Sequence, residues 1–192
     1  MSSEAKLLQI EDLIRELLVA IGEDPQREGL IKTPQRMAEM YAELTAGYRT
    51  SPEELINGAI FSVEYDEMVL IKDIEFYSLC EHHALPFFGK VHVGYIPDGR
   101  VIGFSKIPRI VDLFAHRLQL QERMTEEIAN FLMEAIRPQG VGVVTEGLHL
   151  CMAMRGVKKQ DARMVTSAMK GIFRRDARTR AEFLELIGQG RG

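Results

Sequence analysis

The sequence predicts an α+β fold built on a largely antiparallel sheet, and three observations carry that expectation. Apolar residues recur at helical steps at both ends and in the middle of the chain. Runs rich in Val, Ile, Tyr and Phe, bounded by turn residues, lie between those segments and read as strands. Two helical segments also follow one another directly between the strand groups, unlike the strand–helix alternation of a parallel sheet.

At the N-terminus, Leu7, Ile10, Leu13, Ile14, Leu17, Leu18 and Ile21 form one apolar stripe at three- and four-residue steps. Gly22, Pro25 and Gly29 end it. Thr33-Pro34 restarts a helix, with Thr33 as expected N-cap and Pro34 at the first helical position. Met37, Met40, Tyr41 and Leu44 supply its apolar face. Residues 1–60 therefore read as a helical arm, and 61–192 as the main domain.

Met68–Leu79 and Lys90–Ile96 have strand character. Pro97-Asp98-Gly99 signals a turn into a short strand, Val101–Phe104, so 90–104 is expected to be a hairpin. Helical periodicity returns through Ile110, Val111, Leu113, Phe114 and Leu118, then through Met124, Ile128, Phe131, Leu132 and Ile136, before Pro138 and Gly140 stop it. Val141–Cys151 and Arg163–Phe173 read as strands, and Asp176 as the cap of a last helix bearing Phe183, Leu184 and Ile187.

The chain has 192 residues, 46% of them hydrophobic, and 24 basic against 28 acidic side chains, a net charge of −4. That length buries a core without disulfide staples. Mild acidity argues against non-specific nucleic-acid binding, and no apolar run is long enough for a membrane span. The first fifteen residues carry three acidic groups and lack the basic head of a signal peptide, so a cytoplasmic location is expected. In that compartment two cysteines 71 positions apart read better as thiolate ligands than as a disulfide.

Cys80-Glu81-His82-His83 follows one expected strand, and His149-Leu150-Cys151 ends another. The x₂ spacing of Cys80 and His83 lets two side chains of one turn reach a single ion, with Cys151 as third ligand. Two thiolates and one imidazole leave a tetrahedral position for water, the arrangement of a catalytic zinc site. His82 then diverges from the metal and is free for proton transfer. His149, roughly 6.6 Å from Cys151 along an extended chain, points to the same face. Two other readings stay open: Cys151 as a small core residue, and a closed structural site completed by His82 or His149.

No phosphate-binding GxxxxGK[ST] motif occurs. Gly103-Phe104-Ser105-Lys106-Ile107-Pro108-Arg109 offers another anion site, where a strand enters a helix with free N–H groups and added cations. Arg155, four residues past Cys151, could bring a further charge. Gln121-Glu122 reads either as a helix start or as a carboxylate that accepts two hydrogen bonds from a guanine-like edge.

At Ser78-Leu-Cys-Glu-His-His83, Gly103-Phe-Ser-Lys-Ile107, Gln119-Leu-Gln-Glu-Arg123 and His149-Leu-Cys-Met-Ala-Met-Arg155 the sequence resembles GTP cyclohydrolase I. The likeness runs in order over about residues 30–187, from Thr33-Pro34-Gln35-Arg36 to Thr179-Arg180-x-x-Phe183-Leu184. It implies a tunnelling fold, an antiparallel four-stranded sheet with helices on one face, and a homodecamer with active sites between subunits. It also implies conversion of GTP and water to formate and 7,8-dihydroneopterin triphosphate, the first step towards folate or tetrahydrobiopterin. By position, the resemblance makes Cys80, His83 and Cys151 the Zn2+ ligands and His82 and His149 the acid–base histidines, with Ser105 a possible proton shuttle. Glu122 with Gln121 would hold the guanine, and Ser105, Lys106, Arg109 and Arg155 would line the triphosphate pocket, with Arg36 contributed by a neighbouring subunit. Some family members carry a lysine where this chain has Glu39. A zinc deaminase is the rival enzyme class, but P-C-x-x-C and H-x-E are missing; a nucleotide-binding scaffold with structural zinc is the non-enzymatic rival.

Overall fold

The N-terminal stripe folds as helix α1 (Ser3–Ala20), after which Gly22 takes a left-handed turn at φ 92°. A computed structural model describes residues 3–56 and 58–189. By its internal contacts the chain divides into Met1–Ala46 and Gly47–Gly192. In the first unit α1 packs against α2 (Thr33–Leu44). The expected N-cap lies one residue off: Lys32 holds that position in helical conformation, and no side chain caps α2. The physical reason is the preceding chain of turns, in which Thr33 N–H donates to Leu30 O and Arg36 N–H to Lys32 O. The backbone therefore enters the helix already coiled, without the extended residue a side-chain cap requires.

In the second unit, α3 (Pro52–Ile56) precedes β1 (Ile60–Ser62), β2 (Val69–Cys80), β3 (Pro86–Ile96) and β4 (Arg100–Ile102). Then come α4 (Lys106–Ala115), β5 (Leu118–Gln119), α5 (Gln121–Ile136), β6 (Gly140–His149), α6 (Leu150–Ala153), β7 (Met164–Gly171), α7 (Ile172–Arg175) and α8 (Ala177–Gly188). The main sheet has the order β5-β2-β3-β6-β7. Its four long strands are antiparallel, as expected of the α+β architecture, and the two-residue β5 adds a parallel edge beside Leu79 and Cys80.

The expected hairpin over 90–104 does not form. Pro97-Asp98-Gly99 turns the chain, with Gly99 at φ 72°, but β4 pairs with β1 instead. β3 bonds to β2 on one side and to β6 on the other, so neither of its edges is left for β4.

One sheet face is covered by α4 and α5. Ile107, Ile110 and Val111 of α4 and Met124, Ile128, Leu132 and Ile136 of α5 are fully buried. They meet Phe76, Phe87, Val91, Val93, Val141 and Val143 from the strands in one core. Burial of that apolar stripe, rather than helix propensity, is what holds such helices in place. At the far end of the opposite face, Gly94 and Gly142 are register partners and form a shelf without side chains. Phe183 and Phe173 lie on it edge to face, their ring centroids 5.5 Å apart. Asp176 caps α8 as expected, accepting from Arg178 N–H at 3.0 Å.

Candidate active site

The near end of the sheet gathers the ends of β2 and β6 with the start of β3. Cys80 closes β2, and residues 81–85 return the chain to β3 in a tight loop. Its carbonyl accepts from Ala84 N–H at 2.8 Å and from His83 N–H at 3.3 Å, while its own N–H donates to Leu85 O at 2.8 Å. Ala84 takes the left-handed conformation, φ 51°, that this return demands. The loop thereby turns His83 back towards the strand end.

Cys151 arrives differently from the expectation. The strand stops at His149, and Cys151 is the second residue of the one-turn helix α6, so the two side chains do not follow strand alternation. Met154 N–H closes the turn on Leu150 O at 3.1 Å. One ligand atom each from Cys80, His83 and Cys151 then lies within 4.8 Å of the others. Both cysteines are free thiols. Two sulfurs and one imidazole gathered this closely fit a single metal ion. Burial, and then the neighbouring Cys80, push the Cys151 thiol up, while the Arg155 charge pulls it down.

His82 stays outside that trio. Its ring stands at 81° to that of His83, and its Nδ1 lies 4.0 Å from Cys80 Sγ. Glu81 pairs with Arg123 in the first turn of α5, tying the loop to that helix.

His149 is held on two sides. Its ring stacks on Phe87, its register partner across β3, at 4.5 Å and 7°. Its Nε2 lies 2.9 Å from Gln121 Oε1. Burial lowers its pKa, and the Glu122 charge opposes that shift. Glu122 itself is exposed in the first turn of α5. Gln121, by contrast, is buried, and its amide nitrogen contacts Thr145 O, Met164 O and Thr166 Oγ1.

Ser105 precedes α4 in helical conformation and makes no side-chain cap bond, Lys106 donates to Leu55 O at 2.7 Å, and Arg109 is exposed. Among the described residues, no hydrogen bond or ion pair joins these three to the Cys–His trio. Arg155 is exposed just after α6, and Arg36 is exposed on α2 of the first unit. Sequence reasoning missed Phe87 and the Glu81–Arg123 pair. Both depend on which strand and helix ends become neighbours, which no local pattern encodes.

The chain is similar to known proteins over most of its length. The family profile described as GTP cyclohydrolase I matches residues 10–188. "GTP cyclohydrolase 1" of Chlorobaculum tepidum is 55% identical over 185 residues, covering 96% of this chain and 83% of that protein. Its namesake from Leptospira biflexa is 56% identical over 181 residues, covering 94% and 99%. That of Campylobacter jejuni is 53% identical over 183 residues, covering 95% and 96%. A match of this length and identity, over a chain that brings Cys80, His83 and Cys151 together at one sheet end, places it in the GTP cyclohydrolase I family of enzymes.

Proposed function

We propose that this chain performs the family's reaction with zinc held by Cys80, His83 and Cys151, converting GTP and water to 7,8-dihydroneopterin triphosphate and formate. The observation that carries the reading is the meeting of those three side chains, from segments 71 residues apart, next to a histidine held by stacking and a hydrogen bond. Zinc, when bound, supplies a Lewis acid that acidifies water towards neutrality.

The protein's own groups do the rest. Glu122 accepts the N1–H and N2–H₂ donors of guanine, and adenine, which lacks them, would leave the carboxylate unpaired. Water adds at C8, and His149 hands a proton to N7 so that the imidazole ring opens. Its reference pKa, near the working pH, suits both directions of transfer. A second hydrolysis releases C8 as formate. The ribose then rearranges in Amadori fashion, and the new carbonyl closes on the freed amine. His82 and Ser105 move protons in these later steps. The triphosphate is not cleaved; Lys106, Arg109 and Arg155, with Arg36 of a neighbouring subunit, grip it, and that grip positions the base.

Among the described residues no bond ties the α4 cations to the trio, and we assign completion of the pocket to neighbouring subunits of a homodecamer. Residues 61–192 carry the chemistry and 1–60 form an arm. No described helix is long and apolar enough to cross a membrane, and we place the reaction in the cytoplasm, at the entry to folate or tetrahydrobiopterin synthesis.

The test is product analysis on the zinc-loaded protein. Formate and a fluorescent pterin are expected from GTP; ammonia in place of formate, or nucleotide binding without turnover, would contradict the reading.

A further inference from the structure

We propose that Gln121 is a positioning residue that fixes His149 with its proton on Nε2, so that the imidazole exchanges protons with substrate through Nδ1 alone. The inference rests on the reading of His149 as the acid–base group, and it removes Gln121 from the guanine-binding set.

The Gln121 amide nitrogen lies 3.1 Å from Thr145 O and 3.0 Å from Met164 O. Carbonyl oxygens only accept, so the NH₂ end must face them; a flipped amide would set oxygen against oxygen. Thr166 Oγ1, 3.2 Å away, joins the same end. Thr125 Oγ1 locks the surroundings, donating to Gln121 O at 2.7 Å and lying 2.7 Å from Thr166 Oγ1.

Gln121 Oε1 is thereby aimed at His149 and can only accept. At 2.9 Å, His149 Nε2 must be the donor. Stacking on Phe87 holds the ring plane, and the contact with Gln121 Oε1 favours Nε2 over Cε1 at that edge. Nδ1 has no hydrogen-bond partner among the described residues. Gly147 makes the arrangement possible, because a Cβ there would stand 2.4 Å from Gln121 Oε1.

The consequence for proton traffic is specific. As water oxygen bonds to C8, the C8=N7 π pair moves to N7. The proton that water loses goes to Nδ1 and from Nδ1 to N7. Nε2 keeps its hydrogen throughout, and Gln121 Oε1 supports the passing imidazolium.

Two variants of the full-length, zinc-loaded chain test this. Q121L removes the acceptor. G147A leaves every Gln121 donor in place but pushes its oxygen off His149, so it decides the matter if Q121L does not fold. The readouts are the ¹⁵N resonances of the His149 imidazole, assigned by their loss in H149A, and steady-state kinetics with GTP. The wild type is expected to show a protonated Nε2 and a bare Nδ1, and both variants a tautomer mixture. In both, kcat should fall about 10²-fold, the usual range for a misdirected acid–base group, with KM nearly unchanged. Adding Q121L to H149A should cost nothing further. A bare Nε2 in the wild type, a rise in KM with kcat intact, or an additive loss in the double variant would each overturn the proposal. Undiminished formate release by H149A alone would instead remove the acid–base role of His149, and the resonances would still report on Gln121.

Discussion

Cys151 titrates against its surroundings, and that makes metal capture depend on pH. Burial and the nearby Cys80 hold its thiol above the ordinary cysteine value, so without metal it carries its proton at neutral pH. A ligand must lose that proton, so apparent metal affinity falls as pH falls, and loading the protein releases acid. Metal titration in a pH-stat should record this release; uptake without it would contradict the thiolate assignment. Cys151→Ala should reduce zinc from about one ion per chain to near none. Glu122 makes a different prediction, because it is exposed and lies outside the core. Glu122→Gln should raise KM for GTP by more than tenfold, on the order of the 1.5–3 kcal/mol of a charged hydrogen bond, with Tm hardly moved. A purely structural helix-start role predicts the reverse. At this scale the sequence was legible where spacing carries chemistry: Cys80-x-x-His83 places two donors on one turn whatever the fold does elsewhere. The buried contacts of Gln121 were not legible, because its partners, Thr145, Met164 and Thr166, come from two strands whose approach to α5 no local pattern gives.

Among the elements, α4 and the glycine shelf carry the sharpest consequences. Asp112 lies towards the end of α4, and burial raises its pKa while the His116 charge opposes the shift. A carboxyl raised on folding opposes the folded state when ionised, and this cost disappears as pH falls through its folded pKa. Asp112→Asn should therefore raise Tm at pH 7, and the gain should vanish in acid, where Asp112 itself is neutral. A gain that persists in acid would rule out the charge as its cause. On the opposite sheet face, a Cβ at Gly142 would stand 2.7 Å from the Phe173 ring. Gly142→Ala should cost about 1–3 kcal/mol through overpacking, read as a lower Tm. Unchanged stability would show that Phe173 and Phe183 do not rest on that shelf. Helices were readable because their periodicity is local: the stripe Met124, Ile128, Leu132 and Ile136 is buried as its spacing demands. Pairing was not, since Pro97-Asp98-Gly99 announces a turn without saying which strand the next segment joins. β3 was already flanked by β2 and β6, and β4 went to β1.

For the whole molecule, function depends on the sheet bringing two distant segments to one end. The end of β2 supplies Cys80, the loop after it His83 and α6 Cys151, while Phe87 of β3 stacks on His149. Among the described residues no hydrogen bond or ion pair joins the α4 cations to that cluster, and in the proposed homodecamer assembly is a condition of turnover. Dilution or mutation that dissociates the oligomer should abolish pterin formation while each chain keeps its zinc, measured by sedimentation and metal analysis together; activity from isolated subunits would contradict shared sites. The central claim is narrower and more exposed: one ion held by three side chains, with its last position left to solvent. The most direct measurement is a crystal structure of the active protein with anomalous scattering recorded at the zinc edge. The account predicts a single peak bounded by Cys80, His83 and Cys151 with solvent as the remaining ligand. A fourth protein atom in that place, a Cys80–Cys151 disulfide, or full turnover by crystals lacking the peak would contradict it.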